Sequence, residues 1–315
     1  MNLKMTVILI VIVLPNILSC VRYQTIYINN NDPYPLSENQ EPLNEKPEPS
    51  RAERVLNALL KAYPDKVEKV EFRNNDWAIL LRDTWFYFAE GRLLPEDKRE
   101  NAENYRPYQF YNYPAELPSW QNPTPEEIER FQTWRSRRSQ SQTRRSSYFI
   151  DTLYQASTRA ETERQLVRIT FLGRSIRVHK LVQRQFALVE QRILAAAEDD
   201  PHVSSWIRNM GRMYGWNWRN IADTQTRSYH SYGLAIDILP RSLGNLQTYW
   251  LWTLQHREDW WNVSYNERYH PPAAVIKIFE ANGFIWGGKW PLYDTMHFEY
   301  RPEVLILNGL YKSEN

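Results

Sequence analysis

Gly233-Leu-Ala-Ile-Asp-Ile-Leu239 constrains the fold more than any other stretch of this chain. Leu234, Ile236 and Ile238 alternate with Ala235, Asp237 and Leu239. That is strand period, with a branched aliphatic face and Asp237 on the opposite side. Gly233 lets the backbone turn just before the strand, which brings the His230 imidazole back over it. Near the C-terminus, His297 and Glu299 share one face of a second strand while Phe298 and Tyr300 take the other. Asp294 sits in the turn leading into that strand. Two adjacent strands can then gather two imidazoles and a carboxylate, with Asp294 beside the position left open. This is the ligand set of a catalytic zinc site, whose fourth position is left for water.

At 315 residues the chain holds one large or two modest domains. Its net charge of +2 gives no general attraction to nucleic acid, and none is expected as a partner. With 13 Trp and 20 Tyr, it has ample material for aromatic packing.

The N-terminus reads as an export signal. Lys4 precedes the apolar run Met5 to Leu14, which has the size of a signal-peptide core and is short for a membrane span. The only cysteine, Cys20, follows Ile17-Leu18-Ser19 where such a signal is cut. That arrangement resembles the lipobox of bacterial lipoproteins and implies lipidation of Cys20. A plain cleaved signal and an uncleaved anchor are the other readings. In each case the mature chain is exported and, with no cysteine pair, carries no disulfide. Residues 21–50 are polar and proline-rich and read as a disordered tether between the membrane and the rest of the chain.

From Arg51, Val55, Leu56, Leu59, Leu60 and Tyr63 recur at helical spacing. Trp77 to Leu81 and Thr84 to Phe88, around Arg82-Asp83, predict a hairpin. Residues 96–125 read as loop, and Thr124 as the cap of a helix opening at Pro125. The run 135–147, with five arginines, reads as a solvated mobile loop or as a dock for anionic polymer. A long helix is expected to carry Val178, Leu181, Val182, Gln185, Phe186, Val189 and Ile193 on one face. Asp200-Pro201 opens another helix, which continues to Gly211, and Trp216-Asn-Trp-Arg219 reads as a short strand. Trp250, Trp252, Trp260 and Trp261 suit core packing or a glycan-facing groove. His179, His202, His256 and His270 lack partners at ligand spacing and read as structural.

Rival catalytic signatures are missing. The chain has no His-Glu-x-x-His, no Gly-x-Ser-x-Gly and no Ser-x-x-Lys, and its one cysteine lies in the leader. What it does have is Ser228, His230, Gly233, Ala235 and Asp237, then Trp286-Gly-Gly-Lys-Trp290 and Asp294-Thr-Met-His-Phe-Glu299. This set resembles the signature of the zinc D-Ala-D-Ala metallopeptidase family, with its VanX/VanY-type carboxypeptidases and related L-Ala-D-Glu endopeptidases. The resemblance covers about 200–303. It implies Zn2+ as cofactor, His230, Asp237 and His297 as its ligands, and Asp294 as general base. It also implies a catalytic arginine upstream, for which Arg219 is the nearest match and Arg227 the fallback, and places Ser228 near the substrate.

The implied fold is α+β: a small antiparallel sheet carrying the zinc site, flanked by helices as in the D-Ala-D-Ala peptidase and hedgehog group, with a mostly helical N-terminal elaboration. The expected organisation is a leader over 1–20, a tether over 21–50, a region of unassigned role over 51–164 and the metallopeptidase domain over 165–315. The two halves read as separate domains or as one. The expected activity is hydrolysis of peptidoglycan stem peptides by an exported, membrane-anchored lipoprotein. D-alanyl-D-alanine carboxypeptidase is the first reading and L-Ala-D-Glu endopeptidase the second. A non-catalytic, zinc-containing cell-wall-binding lipoprotein is the rival from another class.

Overall fold

A computed structural model describes residues 49–140 and 143–311. The expected leader, Cys20 and all of the tether except Pro49 and Ser50 lie outside the described residues. Among those that are described, no helix is long and apolar enough to cross a membrane.

Ser50 caps α1 (Arg51–Ala62) by accepting the Glu53 N–H at 3.2 Å, and the helix buries Val55, Leu56 and Leu59. Each such side chain contributes roughly 1.5–3 kcal/mol by leaving water. An antiparallel sheet follows: β1 (Val67–Arg73), β2 (Asp76–Leu81), β3 (Thr84–Tyr87) and β4 (Leu94–Pro95). Its two tight turns use Asn74-Asn75 and Arg82-Asp83, all at positive φ, the left-handed geometry that matches strand twist in two-residue hairpins. The hairpin expected at Arg82-Asp83 is present. The region is nevertheless mixed rather than mostly helical, because β1 and β4 extend that hairpin into a full sheet.

A parallel pair, β5 (Tyr105–Arg106) and β6 (Arg144–Arg145), brackets α2 (Pro125–Gln140), which Thr124 and Glu127 cap reciprocally. The described part of the arginine run is thus not a loop, since Arg135 lies on α2 and Arg144–Arg145 are paired in β6. Next come α3 (Tyr148–Tyr154), α4 (Arg159–Gln165) and a second hairpin, β7 (Leu166–Phe171) with β8 (Arg174–His179).

That hairpin corrects the sequence reading, which placed Val178 on a helix. Phe171, Ile176 and Val178 are buried by strand alternation, and Leu172-Gly173 turn at positive φ. The helix α5 (Gln183–Asp199) begins later and buries Phe186, Val189 and Ile193. Asp200 caps α6 (Pro201–Asn209) as expected, but the helix stops before Gly211. Met210–Tyr214 forms β9, and Trp216-Asn-Trp-Arg219 is irregular rather than a strand. Backbone pairing decides this: β9 pairs along the strand Ala235–Pro240, whereas the Trp216 N–H goes to Arg177 O and the Asn217 N–H to His230 O.

The central sheet runs β11 (Phe284–Trp286), β12 (His297–Tyr300), β10 (Ala235–Pro240), β9, all antiparallel. Between β10 and β11 lie α7 (Trp250–Thr253) and α8 (Ala273–Glu280), and α9 (Pro302–Leu307) follows β12. Phe298 stacks on Phe279 of α8 with centroids 4.0 Å apart, and Phe284 meets Phe186 of α5. A single buried cluster takes in Leu56, Leu59, Phe86 and Phe149 together with Phe186, Ile236, Phe284 and Phe298. Residues 51–164 therefore share their core with this central sheet.

Candidate metal centre

The turn before β10 is held by its own side chains. Ser228 Oγ accepts the His230 N–H at 3.3 Å, and Gly233 ends the turn at φ +72°. A Cβ on Gly233 would stand 2.6 Å from Leu166 Cδ2 and 2.7 Å from His179 N. Gly233→Ala is therefore expected to cost about 2–4 kcal/mol of folding stability, from left-handed strain plus overpacking, as read by urea denaturation. An unchanged midpoint would show that the turn tolerates a side chain.

His230 Nδ1 lies 2.7 Å from Gly215 O, and since a carbonyl only accepts, the proton sits on Nδ1. Its Nε2 is thereby free to face Asp237 Oδ1 at 3.1 Å and His297 Nδ1 at 3.2 Å. His297 Nδ1 lies 2.9 Å from the same Asp237 oxygen, while its Nε2 lies 3.1 Å from Glu299 Oε2. Register produces this convergence: Asp237 pairs directly with His297 across β10 and β12, and Ala235 pairs with Glu299. All three donor residues are buried, His230 to 1% exposure.

Three electron-rich atoms this close need a positive charge among them. In this arrangement His297 supplies it. Burial opposes its protonation, but hydrogen bonds to Asp237 and Glu299 prevail and push it up to about 10. Burial also opposes the Asp237 charge, yet His230 and His297 hold the carboxyl far below the usual range. Glu299 is likewise lowered against its burial, by His297 and then Arg301.

The donor set fits a metal ion. Four-coordinate zinc at about 2.0–2.2 Å from each donor places those donors roughly 3.3–3.5 Å apart, close to the spacing here. Among the described residues His230, Asp237 and His297 form the one group whose ligand atoms converge in this way. Both imidazoles already have outer partners, Gly215 O and Glu299, of the kind that orient metal-bound histidine.

Asp294 completes the site. Its N–H donates to Gly287 O, its own carbonyl accepts the His297 N–H, and it bridges to Tyr249. Gly287 is required for this approach, since a Cβ there would lie 2.5 Å from Asp294 O. The Oδ1 atom of Asp294 is buried with no hydrogen-bond partner. Burial pushes the carboxyl up to about 8; His297 and Arg219 pull it down, and Asp237 and Glu299 repel its charge. A buried orphan acceptor with a raised pKa beside converging donors is the pattern of a functional carboxylate.

The remaining expected residues separate. Arg219 is exposed, its backbone is tied to Ser231, and its charge bears on Asp294. Arg227 is occupied elsewhere, pairing with Asp151 at 3.1 Å, donating to Ala156 O and Ser157 O, and lying over Tyr232. That removes the fallback. The Ser228 hydroxyl is engaged in capping the His230 turn. His179 is neutral, lowered to about 4 by burial, and bonds to Tyr154 O. Trp250 and Trp260 pack in a buried cluster with Val263 and Tyr293, whereas Trp252 is exposed. Sequence reasoning placed Glu299 on the correct face but gave it no task, and nothing local marked Gly215 O.

A family model described as D-alanyl-D-alanine carboxypeptidase matches residues 221–300. A model of a domain of unknown function matches residues 55–110. No curated protein and no solved structure matches the chain. The first match contains His230, Asp237, Asp294 and His297 and supports the zinc D-Ala-D-Ala peptidase family broadly, with peptidase as the activity. Arg219 falls just outside it.

Proposed function

We propose that this chain is a zinc-dependent hydrolase of peptidoglycan stem peptides, first of all a D-alanyl-D-alanine carboxypeptidase. The observation that carries this reading is the convergence of His230, Asp237 and His297 beside the unpartnered, buried Oδ1 of Asp294. The family match over residues 221–300 supports it. His230 Nε2, Asp237 Oδ1 and His297 Nδ1 would hold the metal. When bound, zinc supplies a Lewis acid that polarises a carbonyl oxygen and acidifies water.

The chain's own groups do the remainder. Asp294 takes a proton from the attacking water and returns it to the leaving amine. Its environment suits both directions: burial favours the neutral acid, and a nearby cation favours the carboxylate. Glu299 holds the His297 ring in one orientation. Arg219, exposed near Asp294, is placed to receive a substrate carboxylate or the developing oxyanion. Ser228 would act on the site through the His230 turn that it caps. Export and a lipid anchor at Cys20 belong to the same proposal, because they bring the enzyme to its polymer. A purely structural metal site has no use for an orphaned carboxylate, which disfavours the non-catalytic reading.

The test is to incubate the purified, zinc-loaded chain with defined muropeptides and identify products by mass spectrometry. Released D-Ala is the expected result. Cleavage between L-Ala and D-Glu would reassign the bond to the endopeptidase class. No cleavage of any stem, with zinc bound and the fold intact, overturns the enzymatic reading.

A further inference from the structure

Beyond His297, the end of β12 and the start of α9 carry a buried file of charges. His297, Glu299, Arg301 and Glu303 occupy alternate positions and are all nearly inaccessible, Arg301 at 2%. Glu299 uses one oxygen for His297 Nε2 at 3.1 Å and the other for an Arg301 terminal nitrogen at 3.4 Å. The rest of the Arg301 guanidinium is committed: Nε donates to Glu303, and the second terminal nitrogen donates to Gln109 O at 2.9 Å. Glu303 accepts from the Tyr63 hydroxyl at 2.9 Å. Tyr63 in turn lies 2.9 Å from the Tyr154 hydroxyl and, with its own proton on Glu303, accepts from it.

The far end of this file comes from a different part of the chain. Tyr63 directly follows α1, Tyr154 ends α3, and Gln109 lies on the segment after β5. Tyr63 and Gln109 both fall within the stretch that matches a domain of unknown function. α1 also packs on α9, the helix that carries Glu303. A buried ion-pair file of this kind gives little stability over apolar packing of the same volume. Its distinctive product is direction. With Nε and one terminal nitrogen engaged, Arg301 has one edge left to present to Glu299, and Glu299 then fixes the plane of the His297 ring. Outer partners of metal-bound histidine typically set metal affinity by 10–100-fold.

We infer that Arg301, clamped by Glu303 and Tyr63, is a positioning residue that fixes His297 through Glu299, so that residues 51–164 form part of the metal centre's support. The inference rests on the proposed metal-binding role of His230, Asp237 and His297. It assigns residues 51–164 a task at the site and predicts that the metal-bearing half will not bind metal normally without them.

The test measures zinc affinity of the full chain by chelator competition at fixed pH, together with the visible absorption of the cobalt-substituted protein. Glu303→Gln should weaken zinc binding about 10-fold or more, and Tyr63→Phe about 3–10-fold, each with shifted cobalt bands. Leu59→Ala, a purely apolar change on α1, should lower the melting temperature yet leave affinity within about twofold and the cobalt bands in place. If Glu303→Gln fails to fold, Tyr63→Phe carries the test, since it removes one hydroxyl. Wild-type affinity and spectrum in Tyr63→Phe, or an equal loss in Leu59→Ala, overturns the inference. A wild-type chain that binds no zinc overturns the metal reading itself, and this inference with it.

Discussion

His297→Ala is expected to abolish stoichiometric zinc binding and with it all hydrolysis. His297 is one of three converging donors, and its removal leaves His230 and Asp237 as a pair that cannot complete a tetrahedral set. If each donor carries about a third of a typical zinc binding free energy of ~10–16 kcal/mol, the loss is roughly 3–5 kcal/mol, about 10²–10⁴-fold in affinity. Metal content after dialysis, with chelator competition for the residual affinity, reads this directly. Wild-type zinc content in the variant would place the metal elsewhere. The metal-free protein provides a second readout. His297 is raised to about 10, so its ion pairs stabilise the fold fully below the unfolded value near 6.5 and are lost as pH rises through about 10. Alanine at this position should flatten that part of the stability–pH curve.

Asp294→Asn should have the opposite signature, with zinc retained and turnover reduced by about 10²–10⁴-fold, the usual weight of a general base. The amide keeps the shape of the side chain but cannot accept a proton from water. The effect on stability also has a definite sign. A carboxyl raised to about 8 is protonated in the folded protein but ionised in the unfolded chain between about pH 4 and 8. The unfolded state then binds fewer protons, and wild-type stability falls as pH rises across that window. Without metal, Asp294→Asn should therefore be more stable than wild type near pH 8, by roughly 1–3 kcal/mol. Undiminished turnover in this variant would move the base to another group, and a loss of zinc would make Asp294 a ligand.

Much of the site was legible because its parts are local and carry distinctive chemistry. Alternation over Leu234–Leu239 put Asp237 opposite the aliphatic face, and β10 has that arrangement, with Ile236 and Ile238 fully buried. The same period put His297 and Glu299 together on β12. Capping chemistry identified Thr124 and Asp200 as helix starts. The misplacements came where two periods compete over a short span. Val178, Leu181, Val182 and Gln185 fit helical spacing, yet residues 166–179 pair as β7 and β8, since Leu172-Gly173 adopts the hairpin turn and the strands bond to each other. At Met210–Tyr214 the backbone gains a partner in β10, a contact that no local pattern contains.

By itself, then, the sequence determined which groups are present and which face of a strand or helix each occupies, because side-chain alternation and capping act within a few residues. Only the tertiary structure decided that Asp237 stands opposite His297, that Gly215 O fixes the His230 tautomer, and that Arg301 reaches back through Glu303 to Tyr63. These contacts join segments far apart in the chain, and their geometry is set by register, burial and closure of the shared core. In Arg227 the same physics worked against expectation. Its charge and position suited the site, but Asp151 and two carbonyls captured its guanidinium once α3 had packed beside it.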